Sequence, residues 1–286
     1  MEPELIADYQ DECGENPLWH PLEKKLYWVD IDKGRILRFD PAAGKHEIIY
    51  EDIPVGGFTI QPDGTLLLFR TKGEVVIWRN GKTTSVIKEI PAERKLRFND
   101  VIADPLGRVF CGTYSDKGIK GRLYRLDTDG SIHKILDNIG CSNGMGFTLD
   151  RKQMYYTDSW AKKIYIFDYN RETGGLSNRR VFVKLSDAEE GVPDGMTVDA
   201  QGHVWSAMWG GWSLVRYSPQ GIEEQRIRFP ASQVSSITFG GDNLTDMYIT
   251  TASRGGRAKN GPHAGALFRL NPGIKGKPEF YSRIVT

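Results

Sequence analysis

The sequence predicts an all-β fold of the closed, repeating kind: a six-bladed β-propeller, four antiparallel strands per blade, as one domain over residues 1–286. Three observations carry this. First, one kind of turn recurs, opening at His20, Gln61, Asp104, Asp150, Asp199 and Gly240, at spacings of 41, 43, 46, 49 and 41 residues. Second, each turn is followed by β-rich runs punctuated by Gly, Pro, Asp and Asn. Third, 32 glycines and an absence of sustained helical periodicity suit a chain made of tight turns. A large β-sandwich would not require one turn at a near-constant period.

The unit is clearest at 193–221, PDGMTVDAQGHVWSAMWGGWSLVRYSPQG, which reads strand, turn, strand, turn, strand, turn. After the recurring turn, second runs fall at 26–31, 66–70, 109–113, 154–158, 204–208 and 247–251. Third runs fall at 35–39, 75–78, 121–126, 163–169, 213–217 and 266–270. Outer, fourth runs are expected at 47–50, 85–90, 132–136, 180–184, 224–229 and 278–281. An extended run at 4–9 is left over and can pair with the last repeat, closing the ring and removing an open sheet edge.

Charge excludes several function classes. Lys plus Arg number 38 and Asp plus Glu 37, so there is no basic surplus for nucleic acid. No apolar run approaches the roughly 18 residues of a membrane span, and the acidic start MEPELIADYQDE lacks the apolar stretch of a secretory signal. Cys13, Cys111 and Cys141 are odd in number and form no CxxC pair, which points to a reducing, cytoplasmic setting without disulfides. A monomer acting on a small molecule is expected, with no nucleic-acid or membrane partner.

In a propeller the first strand of each blade lines the central channel. The position five residues before each turn opening gives Glu15, Gly56, Asn99, Asp194 and Ser235. The fourth repeat departs from this offset: its polar candidate, Asn143, lies seven residues before Asp150, which requires a bulge or a longer entry. Two carboxylates and two amides at one level of a channel are hard oxygen donors, suited to Ca²⁺, Mg²⁺ or Mn²⁺. Without a cation, the two carboxylates would repel each other. The five histidines show no HxH or HExxH spacing, and Cys141 has no base to activate it.

Four ordered motifs resemble one family. They are Gly14-Glu15-Asn16-Pro17-Leu18-Trp19, Arg97-Phe98-Asn99-Asp100, Ser142-Asn143-Gly144-Met145 and Pro193-Asp194-Gly195-Met196, with Ser177-Asn178-Arg179-Arg180 and Phe239-Gly240-Gly241 besides. The chain is similar from about residue 10 to about 272 to the regucalcin (senescence marker protein), gluconolactonase and luciferin-regenerating enzyme family. The resemblance implies a six-bladed propeller with one divalent cation in its channel and hydrolysis of sugar lactones of the gluconolactone, xylonolactone or arabinonolactone type. It places the metal on Glu15, Asn143 and Asp194, with Asn99 adjacent through substrate or water. It places the sugar hydroxyls on Arg97 and Asn99. A further acidic substrate contact of some relatives has no match: Lys117 stands there, with Asp116 beside it as the candidate substitute. Ca²⁺ is favoured, with Fe²⁺, Zn²⁺, Mn²⁺ and Mg²⁺ also used among relatives.

The expected mechanism has the cation polarise the lactone carbonyl while Asp194 orients or deprotonates the attacking water. Tyr114, Trp160, Trp209 and Trp212 are candidate pocket walls, with packing between blades as the alternative for each. Two competing functions stay open: an esterase or organophosphate hydrolase in the same channel, and a calcium-binding or scaffold propeller without turnover.

Overall fold

The computed structural model describes residues 2–116 and 118–285. The chain begins with β1 (Glu4–Ala7), which joins a sheet formed by the end of the chain. A meander follows of β2 (Gly14–His20), β3 (Lys25–Asp30), β4 (Arg35–Asp40) and β5 (Lys45–Glu51). The second has β6 (Val55–Ile60), β7 (Leu66–Arg70), β8 (Val75–Arg79) and β9 (Lys82–Ile87). The third has β10 (Phe98–Ala103), β11 (Val109–Thr113), β12 (Gly121–Leu126) and β13 (Ile132–Ile139), and the fourth β14 (Ser142–Phe147), β15 (Gln153–Asp158), β16 (Lys163–Asn170) and β17 (Gly175–Lys184). The remaining strands are β18 (Val192–Val198), β19 (Val204–Trp209), β20 (Ser213–Tyr217), β21 (Glu223–Arg228), β22 (Gln233–Gly240), β23 (Asp246–Ala252) and β24 (Leu267–Leu270). With β1 they form one sheet of eight strands.

Four separate four-stranded sheets and one of eight strands therefore stand where the repeat predicts six equal blades. The difference comes from a single residue pair, Trp209 opposite Gln233, which links β19 to β22. On either side of that pair, the described strands pair within β18–β21 and within β22–β24 plus β1.

The sheets are arranged in a propeller-like ring, with the first strand of each meander innermost. The Phe58 amide of β6 donates to Asn16 Oδ1 of β2 at 2.6 Å, and Asn99 Nδ2 of β10 donates to the Ser142 carbonyl of β14 at 2.8 Å. Ser235 Oγ of β22 donates to the Gly14 carbonyl of β2 at 2.5 Å, bringing the last meander back to the first. Two glycines permit close backbone approaches between inner strands. A Cβ on Gly56 would lie 2.0 Å from the Phe98 carbonyl oxygen, and one on Gly144 would lie 2.6 Å from that of Asp194. Burial follows position: β6, β7 and β14 are buried throughout, while the outermost β5 and β9 are mostly exposed. Between sheets the core is aromatic, with Trp28, Trp205, Tyr155, Phe58 and Phe69 fully buried, each side chain contributing on the order of 1.5–3 kcal/mol.

Three expectations are corrected. The run at 278–281 is not a strand; β1 takes the outer place beside β24, with Glu4 opposite Arg269, so a strand from the start of the chain completes the last meander and becomes its edge. The outer run expected at 85–90 is shifted to β9, which starts at Lys82 and ends at Ile87. The turn of the fourth meander opens at Thr148, whose amide donates to the Gln153 carbonyl, as those of Gln61, Asp104 and Asp199 donate to Thr65, Arg108 and His203. Asn143 is therefore five residues before its turn, like its counterparts, and the apparent irregularity was one of turn length.

The last residues form a strap across one end of the ring. The Ala200 amide donates to the Lys275 carbonyl and the Gly276 amide to that of Leu244. The amides of Ser282, Arg283 and Val285 then donate to the carbonyls of Ile60, Gly107 and Thr128 on the other side. Ile284 is buried beside Phe69 and Phe98, which fixes the strap in a core cluster.

Candidate active site

Every innermost strand breaks register with its neighbour at the same level: between Glu15 and Leu18, Val55 and Gly57, Phe98 and Val101, Ser142 and Met145, Pro193 and Met196, and Val234 and Ser236. Such bulges turn a side chain out of the regular alternation. Glu15, Gly56, Asn99, Asn143, Asp194 and Ser235 all occupy these irregular segments. Five of them carry side chains, all buried. The shared offset in sequence thus has a structural cause.

Glu15, Asn99, Asn143 and Asp194 line one cavity of about 270 Å³ together with Arg97. Arg97 Nη1 donates to Asn99 Oδ1 at 2.6 Å, and Asn99 Nδ2 reaches Asn143 Oδ1 at 3.2 Å. Asn143 Nδ2 is held by Ser159 Oγ at 3.0 Å, which leaves its carbonyl oxygen turned toward the cluster. In contrast, Glu15 Oε2 and Asp194 Oδ1 are buried without a hydrogen-bond partner among the described residues. Buried carboxylate oxygens are seldom left so, because desolvation is costly when nothing replaces water.

The electrostatics express the same conflict. Burial pushes Glu15 well above the ordinary carboxylate range, and the charges of Asp194 and Asp100 push it further. Burial and Asp100 do the same to Asp194, with Arg97 and Arg254 opposing. A divalent cation between these oxygens would resolve the conflict by supplying positive charge and taking up both orphaned atoms. The donors fit a hard ion: two carboxylates and the Asn143 amide oxygen, with no imidazole among them. Among the described residues no group of three or more His, Cys, Asp or Glu is arranged as a metal nest, so any donor set here depends on amide oxygen.

The walls come from a different part of each meander. Tyr114, Trp160 and Trp209 line the cavity, each just past or at the end of a second strand. Trp160 meets Tyr114 edge-on at 5.5 Å, and the Arg97 guanidinium lies 4.9 Å from the Tyr114 ring centre. Trp212 is not part of this lining and lies against Gly261 instead. Asp116 is exposed in the turn after β11 and does not line the cavity, and Lys117 lies outside the described residues.

The sequence reading missed Arg254, Gln233 and Ser159, which also line the cavity. A signal for two of these existed. The same post-strand position that supplies Tyr114, Trp160 and Trp209 supplies Ser159 and, in the last meander, Arg254.

Below this level Asp100, Thr59, Ser236 and Thr238 line a second, smaller space of about 50 Å³, which Glu279 and Phe280 of the strap close. Asp100 is buried, and burial pushes its carboxyl up to about 7.

A closed ring of antiparallel meanders with an acid–amide cluster in an axial cavity defines a propeller-type binding or catalytic domain. The chain belongs to the SMP-30/gluconolactonase/LRE-like family, whose profile matches residues 13–253. It is 45% identical over 288 aligned residues to the pentonolactonase XacC of Haloferax volcanii, covering 98% of this chain and 97% of that protein. It is 34% identical to human regucalcin, covering 96% of this chain and 95% of that one. A solved luciferin-regenerating enzyme superposes with a TM-score of 0.91 at 26% identity, covering 99% of this chain and all of that one. The three free cysteines are buried, and among the described residues no helix is long and apolar enough to cross a membrane.

Proposed function

We propose that the chain is a carboxylic ester hydrolase that opens sugar lactones with the help of one divalent cation held by Glu15, Asn143 and Asp194. The observation that carries this is the pair of buried, partnerless carboxylate oxygens beside a fixed arginine in one cavity. The similarity to a pentonolactonase supports a five-carbon sugar lactone as the first substrate to test. Calcium is the preferred ion for an oxygen-only set, with Fe²⁺, Zn²⁺, Mn²⁺ and Mg²⁺ as alternatives to be compared. The two linked meanders β18–β21 and β22–β24 with β1 are read as two blades, which makes six with the four separate sheets.

When bound, the cation supplies Lewis acidity to polarise an ester carbonyl and charge to stabilise the oxyanion that forms. The protein's own groups do the rest. Asp194 orients the attacking water and takes its proton as the water oxygen bonds to the carbonyl carbon. The ring C–O bond then breaks, the ring oxygen receives a proton, and an open-chain sugar acid leaves. Arg97, with Nη1 fixed by the Phe98 carbonyl and Asn99, presents its remaining N–H groups to ring hydroxyls. Asn99 and Asn143 hold their amides in fixed orientations through one continuous chain of hydrogen bonds. Asp116, exposed two residues beyond Tyr114, is assigned an outer contact at the rim.

The test is a pH-indicator assay on D-xylono-, L-arabinono- and D-glucono-lactones, with spontaneous opening subtracted. The wild type is expected to accelerate at least one, and Asp194→Asn to lose that acceleration while staying folded. A folded Asp194→Asn protein with wild-type turnover would remove Asp194 from the mechanism.

A further inference from the structure

The cavity holds a second arginine that the catalytic scheme above does not use. Arg254 follows β23, in the meander whose inner strand is β22, whereas Arg97 precedes β10. Going round the inner strands in either direction, β10 and β22 are three steps apart, so the two arginines enter from opposite sides.

Their settings match. Arg97 lies over Tyr114 at 4.9 Å with one nitrogen, Nη1, tied to Phe98 and Asn99. Arg254 lies over Trp209 at 5.8 Å with Nε and Nη2 both donating to Asp32 Oδ2, at 3.1 and 2.5 Å. The backbone is fixed as well: the Arg254 carbonyl accepts from Gln233 Nε2 at 3.0 Å and from Asn260 Nδ2 at 2.7 Å. Each guanidinium therefore has one edge anchored on protein and another without a partner among the described residues. For Arg254 the free nitrogen is Nη1. A side chain held this way has already lost most of its rotamer entropy, so its spare donors cost little to present to a ligand.

We propose that Arg254 and Trp209 form a second sugar clamp, opposite Arg97 and Tyr114, and that Arg254 Nη1 donates to hydroxyl oxygens on the side of the lactone turned away from Arg97. This rests on the lactonase reading for its substrate class, but its binding arm can be read without turnover. The charge balance selects hydroxyls over an anionic substituent. Asp32 neutralises Arg254 while leaving its donors available, so the far wall offers hydrogen bonds with little net positive charge. The cavity, at about 270 Å³, is smaller than the roughly 300–1,000 Å³ typical of drug-sized sites, which suits one monosaccharide.

Arg254→Met and Arg254→Lys test this, since a side chain 39% exposed can be replaced without emptying a core. Cation-loaded enzyme is assayed on the three neutral lactones and on 6-phosphogluconolactone, and D-xylonate binding is followed by tryptophan fluorescence. Arg254→Met is expected to raise KM and the xylonate Kd roughly tenfold, the loss of about one good hydrogen bond, while kcat falls less than threefold. Arg254→Lys should restore part of the affinity, and Asp32→Asn, which frees the arginine to move, should give an intermediate KM.

Unchanged KM and Kd in Arg254→Met overturn the clamp and leave the lactonase reading standing. A wild type that binds xylonate through Arg254 but opens no lactone overturns the lactonase reading and leaves the clamp. A wild type that neither binds xylonate nor opens a lactone counts against both. Clear preference for the phosphorylated lactone, lost in Arg254→Met, would overturn the assignment to neutral hydroxyls.

Discussion

The two ends of the central channel are made from the same inner strands and treat polar groups in opposite ways. At the open end, Glu15 and Asp194 are each buried with one oxygen that no described residue satisfies, while burial and like charges disfavour their ionised forms. At the far end a strap pairs its amides with carbonyls on opposite sides of the ring and inserts Glu279 and Phe280 under the channel. Thr59 Oγ1 there donates to Ser282 Oγ at 2.7 Å, and the Ile284 amide donates to Gln61 Oε1 at 2.8 Å. One end stores an unfavourable arrangement that a cation would relieve; the other contributes packing and closed hydrogen bonds that stabilise the ring. In the proposed reading, function and stability are separated along one axis, a few residues apart on the same strands.

The separation can be broken from either side. The largest effect is expected at the open end: Asp194→Asn should lower kcat/KM for a sugar lactone by about 10³-fold. In chelated protein the same substitution should raise the thermal midpoint, because it removes a buried charge facing Glu15 and Asp100. A variant less active and also less stable without metal would argue that Asp194 is structural. At the far end, Ile284→Ala should cost about 2–4 kcal/mol in urea unfolding, as expected for a truncated core side chain. Its kcat/KM at temperatures well below the transition should match wild type, and a parallel loss of activity would mean that the two ends are coupled.

A smaller effect concerns pH. For Glu15, Asp100 and Asp194 the folded-state pKa lies above the unfolded one, so the chelated native chain binds more protons than the unfolded chain. Its stability should therefore fall as pH rises from about 4, with the Asp100 contribution complete by about 7. Cation-loaded protein should lose much less over the same window. Asp11 gives an internal reference: burial and the neighbouring Asp30 push it up to about 8, and its Oδ2 accepts from Trp28 Nε1. Its share of the slope should appear with or without metal and vanish in Asp11→Asn. Equal slopes in chelated and loaded wild type would contradict a cation at the carboxylate pair. The smallest effect is at the rim, where Asp116→Asn should raise KM only about twofold, in keeping with one exposed hydrogen bond.

Much of the open end could be read in the sequence because its residues obey a rule that the fold imposes. The bulge precedes each turn by a constant number of residues, so Glu15, Asn99 and Asp194 share an offset, and Asn143 joins them once its turn is opened at Thr148. The sheet repeat was legible for the same reason. The far end was not. The strap has no repeat to betray it, and the segment at 278–281 has strand-like composition but lies between isolated amide–carbonyl pairs, at Lys275 and Gly276 before it and at Ser282, Arg283 and Val285 after it, instead of in a ladder. The link between β19 and β22 rests on one pair, Trp209 and Gln233, which no periodic pattern signals. Arg254 stands two residues past its strand, as Trp160 does, and escaped notice because only aromatic side chains at these positions stand out as pocket walls in the sequence.

The central claim is that the partnerless oxygens of Glu15 and Asp194 are a cation site. Calorimetric titration of chelated protein with Ca²⁺, repeated with Mn²⁺, Mg²⁺, Zn²⁺ and Fe²⁺ under anaerobic conditions, tests it most directly when lactone turnover is measured on the same samples. The account predicts one ion per chain, turnover restored in step with occupancy, and no binding at that stoichiometry in Glu15→Gln or Asp194→Asn. Full turnover in chelated protein, or unchanged one-to-one binding in both variants, would contradict it.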